Sequence, residues 1–414
     1  MQTGNTSKKL IVIGGGAAGF FCAVNAARLN PSLQVIIIEK SNQLLSKVKV
    51  SGGGRCNVTN SCHGIPALVS NYPRGAQFLK KAFHQFNNAD TVEWFESRNV
   101  KLKTEADGRM FPQSDNSQTV IDTLITEANK YKVEVIMKAA VSSIIKQDQT
   151  FQIALEDGRV FIADKICIAS GGFAKEAQFE WIKKLGHEIV APVPSLFTFN
   201  LADKKITQLM GISVPMVKIK IAGTKLFQTG ALLITHWGFS GPAVLKLSAW
   251  GARDLAKANY HFDVIVNWLE GDGFNETSLK EKLVEWRVSM ASQKILNRNF
   301  TSLPSRLWQL LCHMSDIDAE TRFASLTSKA ENRFIKNLTS FEANVKGKTS
   351  FKEEFVTAGG VDLSMIDYNT MQSKVCPGLY FAGEILDIDG VTGGFNFQNA
   401  WTTAHIAAAS IASE

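Results

Sequence analysis

The sequence predicts an α/β fold whose nucleotide-binding domain is assembled from both ends of the chain, with an antiparallel β segment and a helical segment inserted between them. Three observations carry the prediction. Residues 9–38 read strand, glycine turn, helix, strand; residues beyond 185 switch to alternating segments punctuated by Pro192, Pro194 and Pro215; and residues 378–411 return to a strand, a Gly-rich loop and a helix of small apolar residues. At 414 residues the chain exceeds one ordinary domain. The expected division is 1–190 with 350–414, then 191–275 with 338–349, then a helical piece over 276–337.

The elements follow in order. Lys9 to Ile13 and Leu33 to Ile38 are near-continuous aliphatic runs, the pattern of parallel strands covered on both faces. Gly16 to Leu29 is the helix between them. Helical patterning spans Gly75 to Ser97 and Gln118 to Tyr131; strands are expected at Val133 to Met137, Phe151 to Leu155, Arg159 to Ala163 and Lys165 to Ala169. Val217 to Ala222 and Leu226 to Ile234 alternate as antiparallel strands. Helices are predicted over Leu279 to Met290, Leu303 to Met314 and Ala319 to Asn337, and a closing strand and helix over Gly378 to Ala382 and Phe395 to Ile411.

With 45% hydrophobic and 20% charged residues the composition is that of a folded globular chain, not of a disordered, collagenous or repeat protein. The net charge of +7 arises from Lys and Arg that form no dense run, which reads as a solvated basic surface; a small-molecule substrate is expected, and nucleic acid is not. Nothing in the sequence fixes the oligomeric state. The six cysteines contain no CxxC pair and no zinc-type Cys/His cluster, so free thiols, a reducing compartment and no metal are expected, and electron relay through a cysteine pair is excluded. Lys8 and Lys9 ahead of the apolar stretch Leu10 to Val24 mimic a signal peptide, but the glycines fall at phosphate-binding spacing, and a cytoplasmic protein is expected. No run is long and apolar enough to span a bilayer.

Gly14-x-Gly16-x-x-Gly19 stands between a strand and a helix. Gly14 permits the tight turn, Gly16 the approach of backbone to a pyrophosphate, and Gly19 close packing of helix on strand, while Ala17 and Ala18 carry helix-start N–H groups. Glu39 ends the second strand, placed to accept hydrogen bonds from ribose hydroxyls, and an acid there disfavours a 2′-phosphate. The motif binds a dinucleotide and leaves FAD and NAD open. Ser51-Gly52-Gly53-Gly54-Arg55-Cys56-Asn57 reads either as a flexible loop or as backbone amides close to a ligand, with Arg55 offsetting phosphate charge. Near the C-terminus, Gly383-Glu384 ends a strand, and Gly393-Gly394-Phe395-Asn396 opens a helix whose N-terminus suits the N1–C2=O edge of a flavin; Asp389 suits a ribityl chain.

Taken with DGRMFP (107–112), THWGFSGPAVLKLS (235–248) and TAGGVDLSMID (357–367), these motifs resemble the bacterial aminoacetone-oxidase-like FAD-binding family, in order along nearly the whole chain. The resemblance implies a glutathione-reductase-type FAD domain made from both termini, an inserted β-barrel-like domain and a helical subdomain. It implies flavin contacts at Glu39, the Ser51 to Asn57 loop, Gly383, Glu384, Asp389 and Gly393 to Asn396; Lys40, Lys47, Val141, Ser170 and Gly171 complete the expected cofactor set. The chain departs from the family at Ser170-Gly171-Gly172-Phe173 and the following residues to Phe199, so no relative's substrate is carried over.

The expected activity is hydride transfer between FAD and a small organic substrate, with NAD(P)H as a transient electron donor. There is no second GxGxxG for a separate nicotinamide domain. His236 and Arg109 are the candidate catalytic residues: an imidazole able to act as acid or base in a Gly-interrupted segment, and a guanidinium able to grip an anion. A structural histidine and a surface ion pair are the competing readings. Two other functions compete with the enzyme: a flavin-carrying or RNA-associated protein without turnover, and an NAD-only Rossmann dehydrogenase.

Overall fold

The opening strand Lys9–Ile13 is buried along almost its whole length, which only a sheet covered on both faces allows. It forms the centre of five parallel strands in the order Leu379–Phe381, Lys165–Ile168, Lys9–Ile13, Gln34–Ile38, Glu134–Ile136. In this computed structural model, which describes residues 8–349 and 356–414, the edge strand pairs Phe381 with Ile168, so both ends of the chain build one sheet. Helices Ala17–Leu29 and Phe395–Ser413 pack on each other through Phe21 and Trp401, whose ring centroids lie 5.1 Å apart. The α/β Rossmann-type fold stands as expected.

The chain divides into two compact units, Met1–Ser195 with Lys352–Glu414, and Leu196–Phe351. The first also carries the sheet Thr59–Asn60, Arg109–Pro112, Leu102–Thr104, the meander Val141–Gln147, Thr150–Leu155, Val160–Ala163, and the strand pair Ile189–Pro194 with Thr357–Val361.

The second unit is built on a closed six-stranded antiparallel barrel. Its strands run in the order Thr198–Leu201, Gly238–Ser240, Phe227–Ile234, Ser213–Ile221, His261–Asn267, Phe341–Thr349. Closure leaves no sheet edge to pair with another chain. Val217, Ile219 and Ile221 point into the core while Lys218 and Lys220 point out, the period-two pattern that the sequence shows. The helices Glu276–Ser289, Ser305–His313 and Ser328–Thr339 contribute Leu283, Trp308 and Phe334 to the same buried cluster as barrel residues Val217, Leu232 and Val264.

Several elements differ from expectation for local reasons. The helix expected over Gly75 to Ser97 is two, Ala76–Ala82 and Asn88–Glu96, because Asn87 starts a new helix with a capping box: its side chain accepts from Ala89 N–H at 2.8 Å and Asp90 accepts from Asn87 N–H at 2.7 Å. The helix expected from Ala319 begins only at Ser328, where the Thr327 hydroxyl accepts from Ala330 N–H at 3.2 Å. Helix Pro242–Lys257 and strand Val141–Gln147 are additions to the sequence reading. Among the described residues no helix is long and apolar enough to cross a membrane.

Candidate functional site

The three fingerprint glycines are each required for a different steric reason. Gly14 has φ +116°, and a Cβ on it would lie 2.4 Å from Ala169 O; a Cβ on Gly19 would lie 1.8 Å from Gly14 O. A Cβ on Gly16 would meet nothing within 4 Å, so the side of Gly16 facing away from the fold is open. Gly16 is also the N-cap of Ala17–Leu29, with no side chain capping the helix N–H groups, which is where an anion is favoured. Glu39 closes the turn: Oε2 accepts from Gly15 N–H at 2.7 Å and Oε1 from Ser41 N–H at 2.8 Å. These bonds fix the carboxylate and leave it lone pairs for ribose hydroxyls. Lys40 lies over the Phe173 ring, 5.6 Å from its centroid.

Much of the Ser51 to Asn57 loop lies in the left-handed region that favours glycine. Gly52, Gly53 and Gly54 all have positive φ, at 58°, 69° and 84°, and Cys56 follows at 62°. Cys56 is buried, and burial pushes its thiol up to about 12, so it is no nucleophile at neutral pH. Arg55 is engaged by Glu105 at 2.6 Å and stacks 4.0 Å from the Phe111 ring centroid. Both contacts tie the guanidinium to the sheet that carries Phe111.

This loop is stitched to the distant Gly393-Gly394 turn. The Asn57 amide, oriented to satisfy both neighbours, donates to Thr59 O at 3.0 Å and accepts from Gly394 N–H at 2.9 Å. Asn60 donates to Gly393 O at 3.1 Å, Thr59 donates to Gln398 Oε1 at 2.6 Å, and Trp401 Nε1 donates to Val58 O at 3.0 Å. Asn396 clasps Gly390 through both its N–H, at 2.8 Å, and its carbonyl, at 2.9 Å. Gly394 is the N-cap of Phe395–Ser413, again with no side-chain cap. Sequence reading placed Asn57 and the glycines but missed Thr59, Asn60, Gln398 and Trp401, although the first two sit inside the same motif.

Glu384 joins three segments: Oε1 accepts from Thr357 N–H at 2.9 Å, and Oε2 pairs with Lys47 Nζ at 2.6 Å. Gly383 needs its lack of side chain because a Cβ would lie 2.8 Å from the Ala18 Cβ. Asp389, fully buried, takes two bonds from Arg74 and one from Ser195. Burial pushes this carboxyl up, and Arg74 and Ser195 draw it partly back. Arg74 and Ser195 had no sequence signal. Val141 is half-buried at the start of its hairpin, paired with Leu155. Ser170 Oγ and Thr357 Oγ1 are buried without a partner, beside Gly171 at φ +74° and Gly172 respectively.

Two uncapped glycine N-caps and two orphaned buried hydroxyls are what FAD would satisfy. Gly16 to Gly19 and Glu39 would hold its ADP half, and the 51–57 loop with Gly393 to Asn396 its flavin half. Among the described residues no group of three His, Cys, Asp or Glu could hold a metal ion.

The candidate catalytic residues lie in different units. Arg109 is already paired, with Asp107 at 2.7 Å and Glu105 at 2.9 Å. His236 is exposed in the turn between Phe227–Ile234 and Gly238–Ser240, its ring 4.1 Å from that of Trp237.

The family model described as HI0933-like protein Rossmann domain matches residues 8–410. The chain belongs to this family. HI0933-like relatives include the ribosomal RNA dihydrouridine synthase of Escherichia coli (strain K12), 30% identical over 404 residues that make up 95% of each protein. The 3-dehydro-bile acid delta(4,6)-reductase of Clostridium scindens is 27% identical over 408 residues, 96% of this chain and 97% of that one. Among solved structures, the 3-ketosteroid-delta4-(5alpha)-dehydrogenase of Rhodococcus jostii RHA1 has a TM-score of 0.52 at 13% identity, covering 100% of this chain and 99% of its own. This HI0933-like chain is an FAD-dependent oxidoreductase. The likeness drawn from the motifs holds at the level of this Rossmann family; the aminoacetone-oxidase name expected with it is not carried by these relatives, whose names give other activities.

Proposed function

We propose that the chain reduces a carbon–carbon double bond conjugated to a carbonyl, and that its substrate is a uracil ring in ribosomal RNA. The observation that carries this is the colinear match, over 95% of both chains, to a ribosomal RNA dihydrouridine synthase. Dihydrouridine differs from uridine by two hydrogens across a double bond conjugated to a ring carbonyl. The delta(4,6)-reductase name describes double bonds in register with a 3-keto group, so both relatives point to one reaction type. Saturation adds a hydride to the β carbon and a proton to the α carbon.

Bound FAD supplies the hydride, with NAD(P)H as the proposed source of electrons. The protein's share is to hold the cofactor through Gly14 to Gly19, Glu39, the 51–57 loop and Gly393 to Asn396, and to deliver the proton. His236 is the proposed proton donor, through an imidazole nitrogen, a role that its side-chain chemistry allows. Arg109 is the weaker candidate because its charge is already matched by Asp107 and Glu105. The aminoacetone-oxidase resemblance contributes the flavin site to this reading and not the substrate. Six free cysteines support a cytoplasmic setting.

The test is incubation of the purified flavoprotein with NADPH or NADH and ribosomal RNA transcribed in vitro, which carries no modification. Nucleoside mass spectrometry is expected to find uridine heavier by two hydrogens, and His236→Gln to lower its rate at least tenfold with FAD binding unchanged. Flavin that bleaches with the nicotinamide while the RNA mass stays constant refutes the substrate.

A further inference from the structure

The chain's positive excess is confined to one unit. Leu196–Phe351 holds 20 Lys and Arg against 13 Asp and Glu, while the rest of the chain holds 25 of each, so the whole net charge of +7 belongs to the barrel-bearing unit. Read along the sequence, the cations look scattered. Divided at the unit boundary, they are not.

Within that unit the barrel register collects cations on one outward face. Strand Ser213–Ile221 turns Lys218 and Lys220 outward, with Val217, Ile219 and Ile221 inward. Lys218 sits opposite Thr229 on one side and Asn267 on the other; Lys220 sits opposite Phe227 and Ile265. Cross-strand partners share a face. Lys225 is exposed in the turn that joins the first two of these strands, and Lys346 lies opposite His261 two strands over. Among the described residues none of Lys218, Lys220, Lys225 and Lys346 pairs with a carboxylate. Of the acids on the same face, Glu342 pairs with Lys336 at 2.9 Å, and Asp263, which accepts from the neutral Asn344 amide at 2.7 Å, keeps its charge against these four lysines.

Phe227 gives this face a second property. It is 50% exposed, and Lys218 lies over its ring at 4.7 Å from the centroid. An exposed ring flanked by unpaired lysines combines what a phosphodiester strand requires: cations for the backbone and an aromatic face on which a base stacks. A solvated surface has no need of the exposed ring. A small-molecule substrate has no need of the lysines.

We propose that the outward face formed by Ser213–Ile221, Phe227–Ile234 and His261–Asn267 is the RNA-docking surface of the protein, with Lys218, Lys220 and Lys225 on phosphates and Phe227 under a base. This rests on the reading of ribosomal RNA as substrate. It adds a place for the RNA that the flavin site does not contain.

The test compares two triple variants of the flavin-loaded protein with equal change in charge. One carries Lys218→Glu, Lys220→Glu and Lys225→Glu. The other carries Lys257→Glu, Lys282→Glu and Lys294→Glu, whose lysines pair with Asp254, Glu285 and Glu320 elsewhere on the unit. Binding of a fluorescein-labelled ribosomal RNA transcript is followed by anisotropy across a salt series, alongside dihydrouridine formation and NADPH reduction of the flavin. The first triple is expected to bind at least about tenfold more weakly, with the slope of log affinity against log salt reduced by about two to three. Its flavin reduction should be unchanged, which shows that it is folded. Phe227→Ala should weaken binding about fivefold or more without altering the slope.

Equal losses in both triples, or no loss in the first, overturn the surface. Dihydrouridine formation that survives in the first triple overturns the surface and leaves the substrate standing. RNA binding that needs these lysines without any dihydrouridine overturns the substrate and leaves the surface. A wild-type protein that does neither overturns both.

Discussion

Arg74 donates through Nε and Nη2 to both oxygens of Asp389, and the backbones of the same two residues form an isolated antiparallel bridge. The chain is thereby pinned to itself across 315 residues at the edge of the candidate flavin site. Asp389 is wholly buried and Arg74 nearly so, which makes the pair costly to break: removal of one partner leaves an uncompensated charge out of water. Arg74→Ala is expected to lower stability by about 3–5 kcal/mol. Arg74→Ala with Asp389→Asn should recover part of that loss, since the stranded charge is gone. Urea unfolding of the FAD-free protein reads both, and a single-variant loss under about 1 kcal/mol would show that the pair is solvated.

Gly16 and Gly19 look alike in sequence and should fail differently. Alanine at 19 would drive a methyl into Gly14 O, so the strand–helix unit must shift and the FAD-free protein loses several kcal/mol, about what overpacking costs at its upper end. Alanine at 16 enters open space in the protein alone, and the cost to stability should stay within about 1 kcal/mol. Its methyl stands where the pyrophosphate is expected, so FAD affinity should fall at least tenfold. Thermal melts of apo-protein and flavin fluorescence titrations separate the two effects; equal melts for both variants would contradict the assignment.

Legibility in the sequence followed the range of the interaction. Strand Lys9–Ile13 and helix Ala17–Leu29 were readable because period and glycine spacing are local signals. Ser195, Arg74 and Asp389 meet only after folding, and no spacing announces a contact between residues 194 and 315 positions apart. The motif 51–60 and the turn 393–396 were each readable, but the bonds that join them were not. Helix Pro242–Lys257 has no counterpart in the sequence expectation, although proline at the first helical position is a start signal. The concentration of charge was within reach of the sequence: residues 191–349, the inserted stretch expected there, hold the same charged residues as Leu196–Phe351, and it emerges only when the cations are counted by unit.

Thiol chemistry offers an inexpensive check on burial. All six cysteines are free, and five are buried; Cys62 alone is half-buried. One fast-reacting thiol per native chain is expected with a chromogenic disulfide reagent, and Cys62→Ser should abolish it. Partial burial raises the Cys62 thiol above its ordinary value, so its reaction rate should keep rising with pH beyond the point where an exposed cysteine levels off. Two or more fast thiols would mean that a buried one is reached.

His405 should set part of the acid limit of stability. Its ring stacks on Phe86, with centroids 4.2 Å apart and planes 20° from parallel, and Nδ1 is buried without a partner. Burial, reinforced by Arg28, pushes this imidazole down to about 4 from its ordinary value of 6.5. The folded state therefore resists a proton that the unfolded chain accepts readily. The associated stability is fully present above pH 6.5 and is lost as the pH falls toward about 4, at most about 3 kcal/mol in all. His405→Phe keeps the aromatic stack and removes the titration. The difference between wild-type and variant unfolding free energies should shrink or change sign across this window, by urea unfolding at several pH values, while each carboxylate contributes equally to both proteins. Parallel curves from pH 7 to 4 would show that the His405 imidazole charges within the folded protein without cost.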